Sequence, residues 1–210
     1  MLTKLQRAAE VTRRLEEKYP MASCSLDYGK DYELLISVRL AAQCTDARVN
    51  IVTQDLFKKY PTLESFANAD LEELRADVRP CGFYKVKGAD IKNMCGILLA
   101  EHGGRVPDTM EELLKLPGVG RKTANLILGD IYGQPAVVTD THCIRISNRL
   151  GLAESPDPYK VEMALKEVLD PVKSNDFCHR LVLFGREICQ ARKPRCPECP
   201  LFDVCEKRGV

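Results

Sequence analysis

No stretch of the 210-residue chain approaches the roughly 18 consecutive apolar residues that a membrane span requires. This excludes a membrane-spanning helix, and no membrane partner is expected. The opening segment, MLTKLQRAAEVTRRLEEKYP, lacks the apolar core and small-residue cleavage site of a secretory signal and reads as an amphipathic helix. The expected location is therefore the cytoplasm. Net charge is nearly absent: 31 Lys and Arg face 30 Asp and Glu, for a formal +1. A global positive field is thereby excluded, and any grip on phosphate has to come from local patches and backbone amides. The Walker A pattern G-x-x-x-x-G-K-[ST] is missing, which excludes a P-loop nucleotide site. Low-complexity tracts and tandem repeats are also absent. β-branched runs are scarce, and AVVT at 136–139 is too isolated to build a sheet.

Helical periodicity fills the space left by these absences. Apolar residues recur at helical spacing over 4–18, 31–43, 46–59, 70–77, 86–102, 109–115, 121–132, 141–149, 158–169 and 175–189. Breaks and caps fall at Asp31, Thr45, Pro61, Pro107–Asp108, Pro117–Gly118, Gly133, Pro135 and Ser174. Ten short helices predict an orthogonal all-α fold rather than an up-down bundle.

Residues 113–128, LLKLPGVGRKTANLIL, carry the clearest local signal. An apolar helix end runs into Pro117-Gly118-Val119-Gly120, and a second helix follows with Ala124, Leu126, Ile127 and Leu128 inward. Pro117 stops the first helix, because its ring restricts the residue before it. The two glycines permit positive φ and leave room for a bulky group. The free amides at the start of the second helix favour an anion. This is the helix-hairpin-helix pattern, which grips a DNA backbone without reading sequence. Leu116, Gly118, Val119, Gly120 and Arg121 are expected at that backbone; a plain αα turn is the simpler alternative.

Lys122 follows in the first turn of the second helix. The positive end of a helix disfavours an ammonium there, and desolvation against a bound sugar acts in the same direction. The site can thus activate an amine for Schiff-base chemistry. It is equally a position for a lysine that merely touches phosphate. Asp140, in VVTDTHCIRISNRL, precedes a helix and suits an N-cap. A carboxylate held by helix amides stays ionised and can stabilise positive charge on a deoxyribose ring, so the two roles are compatible. His142 stands close enough in sequence to hydrogen-bond in the same region, or to serve structure alone.

Six of the ten cysteines are scattered among apolar neighbours and read as small buried hydrophobes. The other four, Cys189, Cys196, Cys199 and Cys205, crowd into CQARKPRCPECPLFDVC with spacing C-x6-C-x2-C-x5-C. Four thiolates this close can hold zinc or a [4Fe–4S] cluster. Only one short knuckle is present, so the spacing favours iron–sulfur; zinc and two disulfides stay open. The first gap carries Arg192, Lys193 and Arg195, a basic loop that a rigid metal site would hold toward phosphate.

Together, YELLISVRLAAQCTD at 32–46, LPGVGRKTAN from Leu116, VTDTHCIRISNRLGL at 138–152 and the four-cysteine spacing resemble the endonuclease III family of DNA glycosylases over nearly the whole chain. The resemblance implies two all-α lobes flanking a DNA groove. One is a six-helix barrel of residues 24–134 that contains the hairpin; the other joins 1–23 to 135–210 and carries a [4Fe–4S] cluster. It implies a monomer in a prokaryotic cytoplasm, associated with the nucleoid, acting on double-stranded DNA that bears oxidised pyrimidines or abasic sites. Lys122 matches the family's catalytic lysine and Asp140 its catalytic aspartate. The enzyme would flip the base out, attack C1′ with the lysine amine, and release the 3′ phosphate by β-elimination. Gln43, in AAQCTD, matches the residue that fills the gap left by the flipped nucleotide, its amide offering both donors and an acceptor. Phe83, in CGFYKVK, stands where the family commonly has a leucine wedge; a ring can stack there, or lie in the core.

Three rivals remain at this level. Monofunctional adenine or thymine-mismatch glycosylases share the cluster but commonly lack the lysine after the GVG-R step, and the adenine class usually carries a further C-terminal domain. A non-catalytic DNA-binding module with structural zinc accounts for the hairpin and the cysteines, and leaves Lys122 and Asp140 unexplained. A redox protein would not require the hairpin.

Overall fold

The computed structural model describes residues 2–210 and is all-helical among them, with no strand. The helices are α1 (Lys4–Lys18), α2 (Asp31–Ala41), α3 (Asp46–Lys59), α4 (Leu63–Ala67), α5 (Leu71–Asp77), α6 (Tyr84–His102), α7 (Met110–Leu113), α8 (Arg121–Asp130), α9 (Thr141–Leu150), α10 (Pro158–Lys166) and α11 (Ser174–Glu187). None of them is long and apolar enough to cross a membrane. The chain divides into two compact units, Cys24–Tyr132 and Met1–Ser23 with Gly133–Val210.

In the unit Cys24–Tyr132, α2 is the buried helix. Leu34, Leu35, Ile36, Ser37, Val38 and Leu40 all lie inside, and the helix packs on α3, α6 and α8. A helix apolar on nearly every face can only be stable when surrounded. The longest helix, α6, covers α4 and α5, while α7 closes on α8. Phe66 of α4 stacks at 5.1 Å on Tyr60 and meets the edge of Phe57 at 6.3 Å. Periodicity does not reveal α4, because five residues are too few to display a 3.6-residue period. Its start is nevertheless marked by a capping box in which the Thr62 and Ser65 side chains and amides bond reciprocally.

The second unit brings the two ends of the chain together. Thr3 and Gln6 form the capping box of α1. Arg14 donates to both carboxylate oxygens of Asp203, at 2.6 and 3.0 Å, and Lys18 and Tyr19 both donate to Glu187. Helix α11 is the hub, packing on α1 and α9, with α10 on α9. AVVT at 136–139 is a buried run without regular structure, and Val138 N donates to Cys178 Sγ of α11 at 3.3 Å.

Several helix ends depart from the periodicity. Helix α2 stops at Ala41, short of 43, because Ala42 already leaves the helix with a ψ of 110°, and Gln43 follows with a left-handed φ of 55°. Lys30 precedes it, so Asp31 is the first helical residue rather than the cap. Thr109 caps α7 in place of Asp108, and α11 ends at Glu187.

Candidate functional site

The hairpin joins α7 to α8 through Leu114–Gly120. Val119 N donates to the Leu116 carbonyl, closing a tight turn with Gly118 at φ +73°. Leu116 and Val119 put their side chains in the core, at 3% and 8% exposure, so what they can offer a ligand is backbone. Gly118 and Gly120 are exposed. Gly120 stands at the N-cap of α8 with no side chain to cap the helix. Among the described residues, the amides of Gly118, Gly120, Lys122 and Thr123 donate to no acceptor. An uncapped first turn of this kind presents several N–H groups and a partial positive charge to one oxyanion. Arg121 is half-buried beside it.

Lys122 is the second residue of α8 and exposed. It has no hydrogen-bond or ion-pair partner among the described residues. No existing bond has to break before its amine meets a substrate.

Asp140 is the N-cap of α9: its Oδ1 accepts from Cys143 N at 2.7 Å. It is half-buried, and its second oxygen has no partner among the described residues. The buried run Ala136–Thr139 fixes the backbone on its N-terminal side. A single carboxylate therefore holds a helix end with one oxygen and keeps the other available. His142, two residues on, is half-buried, with Nδ1 at 3.1 Å from an Arg145 guanidinium nitrogen that also donates to the Cys189 carbonyl.

Gln43 and Phe83 share an uncommon backbone state. Both are exposed, Phe83 at 64%, and both have left-handed φ, 55° and 49°. Phe83 is thus not a core residue. Non-glycine residues rarely adopt this conformation, and a bulky one doing so on the surface is held there by its surroundings. Spacing along the chain gives no sign of it.

At the far end of α9, Arg149 organises the cysteine loop. It donates to the carbonyls of Gln190 and Ala191 and to Cys189 Sγ, while its own carbonyl accepts from the Cys205 thiol at 3.3 Å. Leu201 N and Lys207 N point at Cys199 Sγ and Cys205 Sγ, at 3.4 and 3.3 Å. Cys189, Cys196, Cys199 and Cys205 line one cavity with Phe184 and Ile188. Burial pushes the Cys199 thiol up, and the other three sulfurs add to the effect. A cationic centre is what would hold four such groups as thiolates. Among the described residues, no three thiol, imidazole or carboxyl groups are gathered into a site for a single metal ion. A tetrahedral zinc draws its sulfurs to about 2.3 Å from one centre. Four thiols on one cavity, with N–H donors aimed at sulfur, are a donor set that suits a cluster.

The basic residues of the first gap divide. Arg192 and Lys193 are exposed and unpaired among the described residues. Arg195 instead turns back, donating twice to the Glu187 carbonyl at the end of α11, and pairs with Glu198. Its first duty is closing that helix. Spacing alone also leaves Arg149, Lys87 and the Arg39–Asp90 ion pair unmarked; Arg39 Nε and Asp90 Oδ2 lie 2.8 Å apart under the hairpin.

Residues 36–171 match the model of the HhH-GPD superfamily of base excision DNA repair proteins, and residues 189–205 that of the iron–sulfur binding domain of endonuclease III. The chain is 43% identical to endonuclease III of Synechocystis sp. over 98% of its own length and 94% of that protein. It is 41% identical to the Bacillus subtilis endonuclease III, over 92% of this chain and 89% of that one. A solved structure of a trapped endonuclease III–DNA covalent intermediate superimposes with a TM-score of 0.92 at 42% identity, covering 99% of this chain and 97% of that one. A thermostable thymine-DNA glycosylase shares the fold, with a TM-score of 0.85 at 22% identity. The chain thus carries a [4Fe–4S] cluster, and it belongs to the endonuclease III family of the HhH-GPD superfamily.

Proposed function

We propose that Lys122 is the nucleophile and Asp140 the charge-stabilising carboxylate through which this chain, a bifunctional DNA glycosylase and AP lyase of base excision repair, removes oxidised pyrimidines. The single observation that carries this reading is the setting of Lys122: an exposed, unpaired amine one residue beyond an uncapped helix start that suits a phosphodiester.

Each step uses one of these groups. The hairpin amides and Arg121 take a backbone phosphate, and the target nucleotide leaves the stack. The neutral Lys122 amine adds to C1′ as the C1′–N bond to the base breaks and the base departs with a proton. Positive charge on the sugar is met by the ionised Asp140. Ring opening leaves an iminium between Nζ and C1′; loss of a C2′ proton then expels the 3′ phosphate, and water releases the lysine. Gln43 and Phe83 fill the space left in the duplex, the amide pairing with the orphaned base and the ring stacking. Arg192 and Lys193 add phosphate contacts from the cysteine loop, with Arg195 and His142 supporting that region. The cluster braces this loop; no step of the reaction passes through it. A monomer working on lesion-bearing double-stranded DNA in the nucleoid of a prokaryotic cytoplasm belongs to the same reading.

Borohydride trapping on duplexes carrying thymine glycol, an abasic site or a mismatch tests it. Covalent capture with the first two and none with the mismatch is expected. Base release from the mismatch without capture would favour a monofunctional glycosylase.

A further inference from the structure

Lys87 is a lysine where none is expected, in the first turn of α6 with 1% of its surface exposed. A buried ammonium is tolerated only when its protons are taken up by acceptors. Its Nζ donates to the carbonyl of Leu40 at 2.8 Å and to that of Cys81 at 2.8 Å. Neither carbonyl is incidental. Leu40 lies in the last turn of α2, where carbonyls lose their helical partners; Cys44 N, which would ordinarily reach back to it, bonds Ala41 instead. Cys81 ends the short 3₁₀ turn Arg79–Cys81. One cation thus closes the negative ends of two helical segments.

The residues just beyond each carbonyl give the arrangement its meaning. Three residues after Leu40 comes Gln43, and two after Cys81 comes Phe83. These are the two exposed residues of this unit other than glycine with left-handed φ. Each conformation is unfavourable by itself and persists only where the neighbouring backbone is fixed. Lys87 fixes the backbone just before both, from a single point. Burial pushes its own pKa down, and the Cys44 and Cys81 thiols beside it oppose that shift.

We propose that Lys87 is a positioning residue that clamps the Gln43 and Phe83 loops at a common spacing, so that both side chains enter the duplex as one pre-set pair. The inference rests on the reading of Gln43 and Phe83 as insertion residues. A clamp of this kind acts on extrusion of the nucleotide and leaves alone the hairpin that supplies binding.

The test uses the full holoprotein and a duplex with an abasic site opposite 2-aminopurine, whose fluorescence reports unstacking of the orphaned base. Three quantities are measured: duplex affinity, the fluorescence change on binding, and the single-turnover rate of borohydride trapping at saturating enzyme. Lys87→Met keeps the side-chain length and removes the donors; Lys87→Gln keeps a donor. Lys87→Met should bind within a few-fold of the parent, lose the fluorescence change and trap about 10- to 100-fold more slowly, the scale of losing hydrogen bonds from a charged donor. Lys87→Gln should fall between. Should Lys87→Met fail to fold, Lys87→Gln alone decides. Parental fluorescence and rate in a folded variant overturn the clamp. So does a parallel loss of affinity, signal, rate and helical circular dichroism in both variants, since that marks a general packing role. Gln43→Ala and Phe83→Ala separate the two ideas: if neither alters fluorescence or rate, the insertion reading itself fails, whatever Lys87 does.

Discussion

The Arg39 guanidinium occupies the space that a β-carbon on Gly118 would need. It is held there by Asp90, whose Oδ2 would itself lie 2.8 Å from such a carbon. Two independent constraints therefore meet at Gly118, a left-handed φ of +73° and a filled space. Gly118→Ala should lower stability by about 1–3 kcal/mol and weaken binding to undamaged duplex, because the turn cannot keep its shape. Thermal unfolding and a binding titration check both effects. Gly120→Ala, with φ −103° and open space around it, should be far milder in stability.

Asp140 combines a cap with a charge, and the two can be separated. Asparagine caps as well as aspartate but carries no charge. Asp140→Asn should leave thermal stability nearly unchanged and slow base removal by a factor of about 100 or more, on the scale of removing electrostatic stabilisation from a transition state. Asp140→Ala should add a stability loss of about 1 kcal/mol. Single-turnover excision with melting curves distinguishes them. Equal loss of binding and rate in Asp140→Asn would reduce the residue to a cap.

The cysteine loop has little regular structure: residues 189–205 contain one 3₁₀ turn, Cys196–Glu198, and are tied down by Arg149, by Arg14 on Asp203, by Arg195 on Glu187 and by the sulfurs. Cys199→Ser, or removal of iron by a chelator under oxidation, should bleach the yellow-brown colour and lower the melting temperature, since cluster binding is folding free energy for this segment. Iron content and melting are read together. Retained colour in Cys199→Ser would remove that residue from the ligand set.

Alkaline pH probes the buried thiols outside the loop. Burial pushes Cys95 up to about 12 from an ordinary 9.0, and Cys24 likewise. A raised folded value means that the unfolded chain gives up its proton first, so stability is full below pH 9 and falls as the pH climbs toward 12. For Cys95, which is fully buried, the loss is about 1.4 kcal/mol per pH unit in that window. Cys95→Ala should flatten the slope by that contribution. Denaturant unfolding at several alkaline pH values measures it, and an unchanged slope would contradict the burial argument.

Much of this arrangement is legible locally. The hairpin, Lys122 at the head of α8 and the cap at Asp140 each lie within a few residues of the features that announce them. Helix α4 is too short to show a period. Phe83 reads either as core or as wedge, because an aromatic ring beside a glycine fits both, and only its 64% exposure rules out the core. Lys87, Arg39 and Arg149 are invisible in the sequence for a different reason. Lys87 reaches a carbonyl 47 residues away, Arg39 a carboxylate 51 away, and Arg149 a carbonyl 41 away. Periodicity and capping report neighbours along the chain, and these side chains act only once the helices have packed. The count of charges is likewise silent on function: a formal +1 hides an uncapped helix start whose amides carry no formal charge at all.

The most direct test of the central claim is borohydride capture of abasic duplex by Lys122→Gln beside the parent enzyme. The parent should be trapped as a covalent adduct at residue 122, identifiable by peptide mass. Lys122→Gln should bind the same duplex measurably and yield no adduct. Undiminished capture by Lys122→Gln would move the nucleophile elsewhere and contradict the assignment of Lys122 outright.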